Sequence, residues 1–266
     1  MLCAGGRFGA ENVHPEERTD EMKIIEKLAA RNRNAGACAP VLIAFIGDSV
    51  THGCFEVTMD EMNRLIGVVY DPENGYPNRL KRRMDAMYPA ASVSILNAGV
   101  GGECAVHGAE RLERDVLSRR PDLVVVAFAL NDSMNADVEG GLAEYRAAME
   151  DMVVRIQDSG AECIVQTPNR MCSYVSAIIS KGELRNIAAQ AVRVQNDGVL
   201  AAYAQAARDV AAAHGVPVAD AYRLWDQMAK GGVDTTELLS NHINHPTREM
   251  HDLFVKALLD VMLFKN

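Results

Sequence analysis

Residues 41–49, Val-Leu-Ile-Ala-Phe-Ile-Gly-Asp-Ser, join an uninterrupted apolar run to an abrupt polar end. An apolar run of this length predicts a strand that is buried on both faces, as in a parallel sheet. Functional groups of open α/β sheets lie beyond the carboxyl ends of the strands, so Ser49 falls where ligands bind. A serine there is suited to act as a nucleophile, although Asp or Ser after a strand is also common as the cap of a helix.

Further short apolar runs alternate with helical patterns downstream of this segment. The predicted strands are Val41–Ile46, Ser92–Leu96, Leu123–Phe128, Cys163–Thr167 and Pro217–Ala219. Apolar residues at helical spacing predict helices around Leu142–Ile156, in an alanine-rich segment at Leu184–His214, and at Arg248–Phe264. Strand and helix in repeated alternation imply right-handed crossovers, so we predict an α/β fold of three layers with a doubly wound parallel sheet.

The chain divides into two predicted parts. Residues 1–40 form an N-terminal extension that starts with a glycine-rich stretch and contains a charged helix at Glu17–Arg33. Residues 41–266 form the main domain, and no internal repeat or low-complexity linker interrupts it. We expect the extension to pack on the main domain.

Composition excludes several classes of function. The 266 residues are 48% apolar and carry a net charge of −9 without a long basic run, which argues against nucleic-acid binding. Six cysteines lack C-x-x-C spacing, so reduced thiols in a cytoplasmic protein are expected. We find neither a secretory apolar start nor an apolar run near the roughly 18 residues of a membrane span. A signal removed upstream would leave no trace, and the sequence does not indicate an oligomeric state.

Three more polar segments fall at the same predicted edge of the sheet. The glycines of Gly99–Gly102 allow a backbone N–H to approach an anion, although a tight turn would also explain them and the G-x-G-x-x-G spacing fails. Asn131 follows the most apolar strand and can offer its side-chain amide, or simply form a turn. His245 precedes Pro246 and is suited to act as a general base, whereas His-Pro alone would more often mark a helix boundary.

Together these segments resemble the four blocks of the SGNH (GDSL-type) hydrolase superfamily over about residues 41–264. By this resemblance Ser49 is the nucleophile and His245 is the general base. The backbone N–H groups of Ser49 and Gly102 and the side chain of Asn131 would form the oxyanion hole. The resemblance further implies a flavodoxin-like fold with a five-stranded parallel sheet. It implies an acyl-enzyme route that requires neither a cofactor nor a metal ion.

Two positions depart from the family pattern. Ala129 stands where the glycine of the G-x-N-D block is usual, a change expected only to restrict the loop. His242 occupies the position of the family's aspartate, with Asn241 one residue earlier. A third group normally fixes the tautomer of the histidine. We expect Ser49 and His245 to act as a dyad in which a backbone carbonyl or the side chain of Asn241 orients His245. We therefore count Asn241 among the catalytic residues. Asp234 and Glu237 lie upstream and are ranked lower for this role.

The function expected from these residues is hydrolysis of a small-molecule ester by a serine esterase. The resemblance favours small acyl esters and suggests a carbohydrate O-acetyl group. Lysophospholipase or thioesterase activity remains an alternative, because the loops at Phe55–Gly75 and Arg170–Leu184 show no readable pattern. A non-catalytic ligand-binding protein on the same fold is a second alternative, favoured by the missing aspartate. A nucleotide- or phosphate-binding module is a third, favoured by Gly99–Gly102.

Overall fold

A five-stranded parallel sheet forms the middle layer of the computed structural model, which describes residues 22–60, 65–179 and 182–264. In chain order the strands are β1 (Val41–Gly47), β2 (Cys54–Asp60), β3 (Leu65–Tyr70), β4 (Val93–Gly99), β5 (Leu123–Ala127), β6 (Glu162–Gln166) and β7 (Val218–Ala219). The sheet has the order β4-β1-β5-β6-β7, and β2 pairs with β3 in a separate antiparallel hairpin. This architecture confirms the predicted α/β fold with a five-stranded parallel sheet.

Helices cover the sheet within the described part of the chain. They are α1 (Lys23–Arg33), α2 (Ser49–His52), α3 (Tyr76–Met87), α4 (Ala105–Asp115), α5 (Val138–Asp158), α6 (Glu183–Asn196), α7 (Val199–Ala213), α8 (Ala221–Lys230) and α9 (His251–Leu263). The alanine-rich segment is two helices rather than one, because Gly198 adopts a φ of +80° and breaks the chain between α6 and α7. None of these helices is long and apolar enough to cross a membrane.

The register of β1 with its two neighbours determines where the site lies. Gly47, the last residue of β1, pairs with Gly99 of β4 on one side and with Ala127 of β5 on the other. The three strands therefore end at the same level of the sheet. Since β4 and β5 lie on opposite sides of β1, the loops that follow them diverge and leave a crevice at this edge, as expected at a topological switch point.

The β2–β3 hairpin was not predicted, because we assigned residues 55–75 to a loop without a pattern. Its two strands pair in antiparallel fashion, with an irregular register between Cys54 and Val57. Alternating apolar residues in Phe55-Glu56-Val57 are the signal for a strand that we overlooked. The hairpin matters for the site because β2 carries Phe55, whose backbone carbonyl contacts the ring of His245.

The described part of the N-terminal extension packs against the main domain through α1. Ile24, Ile25 and Leu28 are buried in the hydrophobic core. The Glu162 carboxylate accepts the backbone N–H groups of Lys23 and Ile24 at 2.9 and 2.7 Å, and so caps the first turn of the helix. The predicted start at residue 17 lies outside the described residues, and the division at residue 40 stays a prediction.

Ala129 has a backbone conformation that an alanine rarely adopts. It lies just after β5, is fully buried, and has a φ of +143°. Glycine reaches this region without a steric penalty, whereas a Cβ makes it costly by roughly 1–3 kcal/mol. The expectation that alanine only restricts this loop therefore understates the effect, because the residue is held in a strained conformation.

We expect Ala129→Gly to raise the free energy of unfolding by about 1 kcal/mol. The substitution relieves the backbone strain, and the greater conformational entropy of glycine in the unfolded chain offsets part of that gain. Urea unfolding monitored by circular dichroism measures this change. Ala127→Gly is the matched control, and it should lower the free energy of unfolding because its φ needs no glycine. A loss of stability in Ala129→Gly would show that the conformation is not strained.

Candidate active site

Ser49 begins helix α2 directly after the end of β1. The Asp48 carboxylate accepts the backbone N–H of Val50 at 2.9 Å and caps this short helix. A Cβ on Gly47 would lie 2.2 Å from Oγ1 of Thr51, so the turn that presents the serine requires glycine. Asp48 is therefore the helix cap, and Ser49 beside it is free to act as the nucleophile. The turn holds Ser49 in place.

Ser49 and His245 meet although they are far apart in sequence. The hydroxyl Oγ of Ser49 lies 2.9 Å from Nε2 of His245, and Nδ1 of the ring lies 2.8 Å from the carbonyl oxygen of Phe55. A carbonyl oxygen can only accept, so Nδ1 carries the ring proton and Nε2 accepts the proton of the serine hydroxyl. Each of the two residues is only 6% exposed. This arrangement can withdraw a proton from Ser49.

Asn241 serves the loop backbone rather than the imidazole ring. Its Oδ1 accepts the backbone N–H groups of Ile243, Asn244 and His245 at 2.9–3.0 Å, and its Nδ2 donates to Oδ1 of Asn244 at 2.9 Å. We expected either a backbone carbonyl or Asn241 to orient the histidine. In the structure the group at Nδ1 of His245 is the backbone carbonyl of Phe55. Asn241 shapes the turn that presents His245.

The two lower-ranked acids are engaged elsewhere. Both carboxylates lie within hydrogen-bond distance of the Tyr174 hydroxyl, Asp234 at 2.8 Å and Glu237 at 3.0 Å. Nδ1 of His242 lies 3.8 Å from the Glu237 carboxylate, and His242 has a φ of +52°. Among the described residues, no hydrogen bond joins either carboxylate to His245.

Burial and a nearby charge act in opposite directions on His245. Burial lowers the pKa of His245 below its ordinary value of 6.5, while the Phe55 carbonyl and the charge of Glu56 partly offset this. Arg248 fixes Glu56 with a contact of 2.7 Å, binds Asp71 at the same distance, and lies 4.3 Å from the centre of the Phe55 ring. The ring and the acid beside His245 are thereby held in a fixed arrangement.

The glycine loop after β4 borders Ser49. Val100 donates its N–H to the carbonyl oxygen of Gly47 at 3.0 Å, which ties this loop to the end of β1. A Cβ placed on Gly101 would stand 4.0 Å from Cβ of Ser49, and Gly102 has a φ of +81°. The backbone at this point therefore passes close to the nucleophile and turns in a way that favours glycine.

Asn131 is linked to the same loop. Its Nδ2 donates to the carbonyl oxygen of Glu103 at 2.8 Å, and an amide nitrogen carries a second hydrogen. In the part of the chain that the structure describes, neither the N–H of Ser49 nor that of Gly102 donates to another protein group. The glycine loop thus borders Ser49, and a hydrogen bond joins Asn131 to that loop.

Two buried carboxyl groups lie beneath these loops. Burial raises the pKa of Asp48 to about 7 and that of Asp132 to about 6, although each accepts a backbone N–H, from Val50 and Ala105 respectively. Burial thus disfavours the ionised form of both carboxyl groups below the site. Across the described residues, no three His, Cys, Asp or Glu side chains stand together as metal ligands.

Sequence reasoning missed the part played by Phe55. Its contribution is a backbone carbonyl, so the identity of its side chain gives no indication of it. The only sequence signal was the alternation around residues 55–57, which would have predicted a strand but not the contact of its backbone with His245.

Known proteins share parts of this sequence and fold. An acetylxylan esterase from Geobacillus stearothermophilus is 26% identical over 133 residues, which cover 47% of this chain and 58% of the relative, less than two thirds of its length. Three solved structures have the same fold. An alpha/beta hydrolase from the metagenome of Lake Arreo, Spain, has a TM-score of 0.62 and 20% identity, and the match covers 86% of this chain and 97% of that chain. The Geobacillus stearothermophilus acetylxylan esterase has a TM-score of 0.62 and 19% identity, with 85% of this chain and 95% of that chain covered. A two-domain esterase active on acetylated mannans has a TM-score of 0.63 and 18% identity, with 93% of this chain and 55% of that chain covered.

The family model adds a match over most of the chain. The model of the GDSL-like lipase/acylhydrolase family matches residues 45–253, which include all four sequence blocks. This match confirms the resemblance that the blocks indicated. The chain belongs to the GDSL-like lipase/acylhydrolase family.

Proposed function

We propose that this protein is a serine ester hydrolase that acts on small acyl esters through an acyl-enzyme. The observation that carries the proposal is the chain of contacts from Ser49 Oγ to His245 Nε2 and from His245 Nδ1 to the Phe55 carbonyl, at 2.9 and 2.8 Å. A nucleophile within hydrogen-bond reach of a base that a third group orients is the arrangement that covalent acyl transfer requires.

The reaction proceeds in two halves. Oγ of Ser49 attacks the ester carbonyl carbon while its proton moves to Nε2 of His245. The alcohol then leaves with that proton, and an acyl group remains on Ser49. In the second half His245 takes a proton from water while the water oxygen attacks the acyl carbon. The bond between that carbon and Oγ of Ser49 then breaks, Oγ takes the proton back from Nε2 of His245, and the acid is released. The carbonyl dipole of Phe55 stabilises the imidazolium in both halves, more weakly than a carboxylate would.

The developing oxyanion is proposed to bind to three donors. These are the backbone N–H groups of Ser49 and Gly102 and the free hydrogen of the Asn131 amide. Support comes from the common level at which β1, β4 and β5 end, and from the bond that fixes Asn131 to the glycine loop. One such donor is worth roughly 2.7–4 kcal/mol of transition-state stabilisation in hydrolases.

The substrate class proposed first is a carbohydrate O-acetyl ester. The sequence relative is named an acetylxylan esterase, and one structural neighbour is described as active on acetylated mannans. Lysophospholipid and thioester substrates are the alternative within the same chemistry. Rates on acetylated xylose, a lysophospholipid and an acyl thioester, measured side by side, decide between them.

A non-catalytic protein on the same fold is the rival proposal. We expect p-nitrophenyl acetate to give turnover that Ser49→Ala lowers by at least about 10³-fold, since a lost nucleophile leaves only residual catalysis. Labelling by an organophosphonate should likewise require Ser49, because only an activated serine displaces its leaving group. The matched control is Ser118→Ala, in which an exposed hydroxyl bonded to the Arg114 carbonyl is lost. Absence of both turnover and labelling in the unmodified protein would favour the rival.

The midpoint of the acid limb of the pH–rate profile should lie below pH 6.5. His245 acts as a base only when it is neutral, and burial lowers its pKa, so the neutral form persists to lower pH than in a free histidine. The negative charge of Glu56 raises this pKa, so Glu56→Gln should move the midpoint of the acid limb to a still lower pH. The dependence of kcat/KM on pH measures both effects, with Glu113→Gln on the exposed face of α4 as the control. A limb above pH 6.5 would contradict the assignment.

Asn241 offers a test of the group that orients the histidine. Asn241→Ala should lower the free energy of unfolding by about 2–3 kcal/mol, because three backbone N–H groups lose their acceptor. Asn241→Asp keeps the acceptor and should leave kcat within about tenfold, a change under 1.4 kcal/mol. Urea unfolding and steady-state kinetics measure the two effects. A much larger rise in kcat for Asn241→Asp would show that residue 241 acts on the ring directly.

A further inference from the structure

Arg111 of helix α4 is a buried cation that the reaction described above does not use. Only 7% of its side chain is exposed. Its Nε donates to the Glu103 carboxylate at 2.6 Å, its Nη1 to the Ala98 carbonyl at 2.7 Å, and its Nη2 to the Gly47 carbonyl at 3.3 Å. Nη1 also lies 3.4 Å from the Asp115 carboxylate. A single guanidinium therefore connects four acceptors.

Two of these acceptors belong to strand ends that lead into the site. The Gly47 carbonyl belongs to the residue two positions before Ser49. The Ala98 carbonyl belongs to β4, just before the loop that holds Gly102. Arg111 thus joins the backbone ahead of the nucleophile to the backbone ahead of the glycine loop.

The third acceptor, Glu103, extends this connection to the remaining donor. Glu103 follows Gly102 in sequence, and its backbone carbonyl accepts Nδ2 of Asn131 at 2.8 Å. Holding the Glu103 side chain therefore also holds the carbonyl that fixes Asn131. In this way Arg111 contacts, directly or through one residue, every segment that carries a proposed oxyanion donor.

The chemistry of this contact set suits arginine and not lysine. A guanidinium presents five N–H donors in a rigid plane, so it can serve two carbonyls and a carboxylate at once. An ammonium is a point charge on a flexible stem and cannot reach all of these acceptors together. The carboxylates of Glu103 and Asp115 balance the charge, as a buried cation requires.

We propose that Arg111 is a positioning residue that fixes the relative placement of the three oxyanion donors around Ser49. The inference rests on the proposed esterase function. Donors that stabilise the transition state act only when they are held at the right distance from the oxyanion, and a misplacement of about 1 Å can cost 10²-fold in rate. Loss of Arg111 therefore lowers kcat much more than it raises KM.

The alternative role is that Arg111 only anchors α4 to the sheet. In that case a variant would contain fewer folded molecules, but each folded site would turn over at the normal rate. Titration with an organophosphonate separates the two roles, because it counts the sites with a reactive Ser49 and allows kcat to be expressed per site.

The experiment compares Arg111→Met and Arg111→Lys in the full chain with p-nitrophenyl acetate as substrate. We expect kcat per titrated site to fall by about 10²-fold in Arg111→Met and by less in Arg111→Lys, with KM within about threefold in both. The matched control is Arg155→Met, since Arg155 of α5 also donates to a carbonyl of α4, that of Ala109, at 2.8 Å. It should keep the normal kcat per site.

A normal kcat per titrated site in Arg111→Met would overturn the proposal. So would failure of both Arg111 variants to fold, because the role would then be structural. Failure of the esterase proposal itself looks different, since the unmodified protein would then neither react with the organophosphonate nor hydrolyse the ester.

Discussion

The parallel pairing of β1 with β4 and β5 in one common register is the constraint on which the rest of the structure depends. Gly47 pairs with Gly99 on one side and Ala127 on the other, so three loops leave the sheet at one level. Those loops carry Ser49, the glycine loop and Asn131. A shift of either neighbour along β1 would separate them by at least one residue spacing of roughly 3.3 Å, more than hydrogen bonds tolerate.

Contacts beneath the loops turn this common level into a defined site. Gly47 accepts from Val100 and from Arg111, while Asn131 donates to the Glu103 carbonyl. Three of these five groups are backbone atoms that lie at a strand end or in the loop after it, where the ladder of the sheet stops and polar groups need other partners. The same contacts thus satisfy the polar groups at the edge of the sheet and hold the proposed donors in place.

The histidine is held by a different part of the chain. Its loop is shaped by Asn241, and its ring is oriented by a carbonyl of the β2–β3 hairpin, which lies outside the main sheet. A carbonyl fixes the tautomer as a carboxylate does but supplies a dipole instead of a charge. Glu56, one residue along the same hairpin, contributes a negative charge that raises the pKa of His245. The hairpin thus supplies both a dipole and a charge, in place of the single aspartate of the family pattern.

The sequence by itself determined the order of the strands along the chain, the parallel α/β class and the residue types at the strand ends, because buried strands and polar turns leave local patterns. The strain at Ala129 left no local pattern, since it depends on backbone conformation. The hairpin and the helix break left only weak patterns, the alternation at residues 55–57 and the single glycine at 198. Only the tertiary structure decided what stands behind His245. Asn241 lies nearest in sequence, yet the ring nitrogen meets the carbonyl of Phe55, 190 residues away. A backbone carbonyl is present in every residue, so only folding selects the one that the ring contacts.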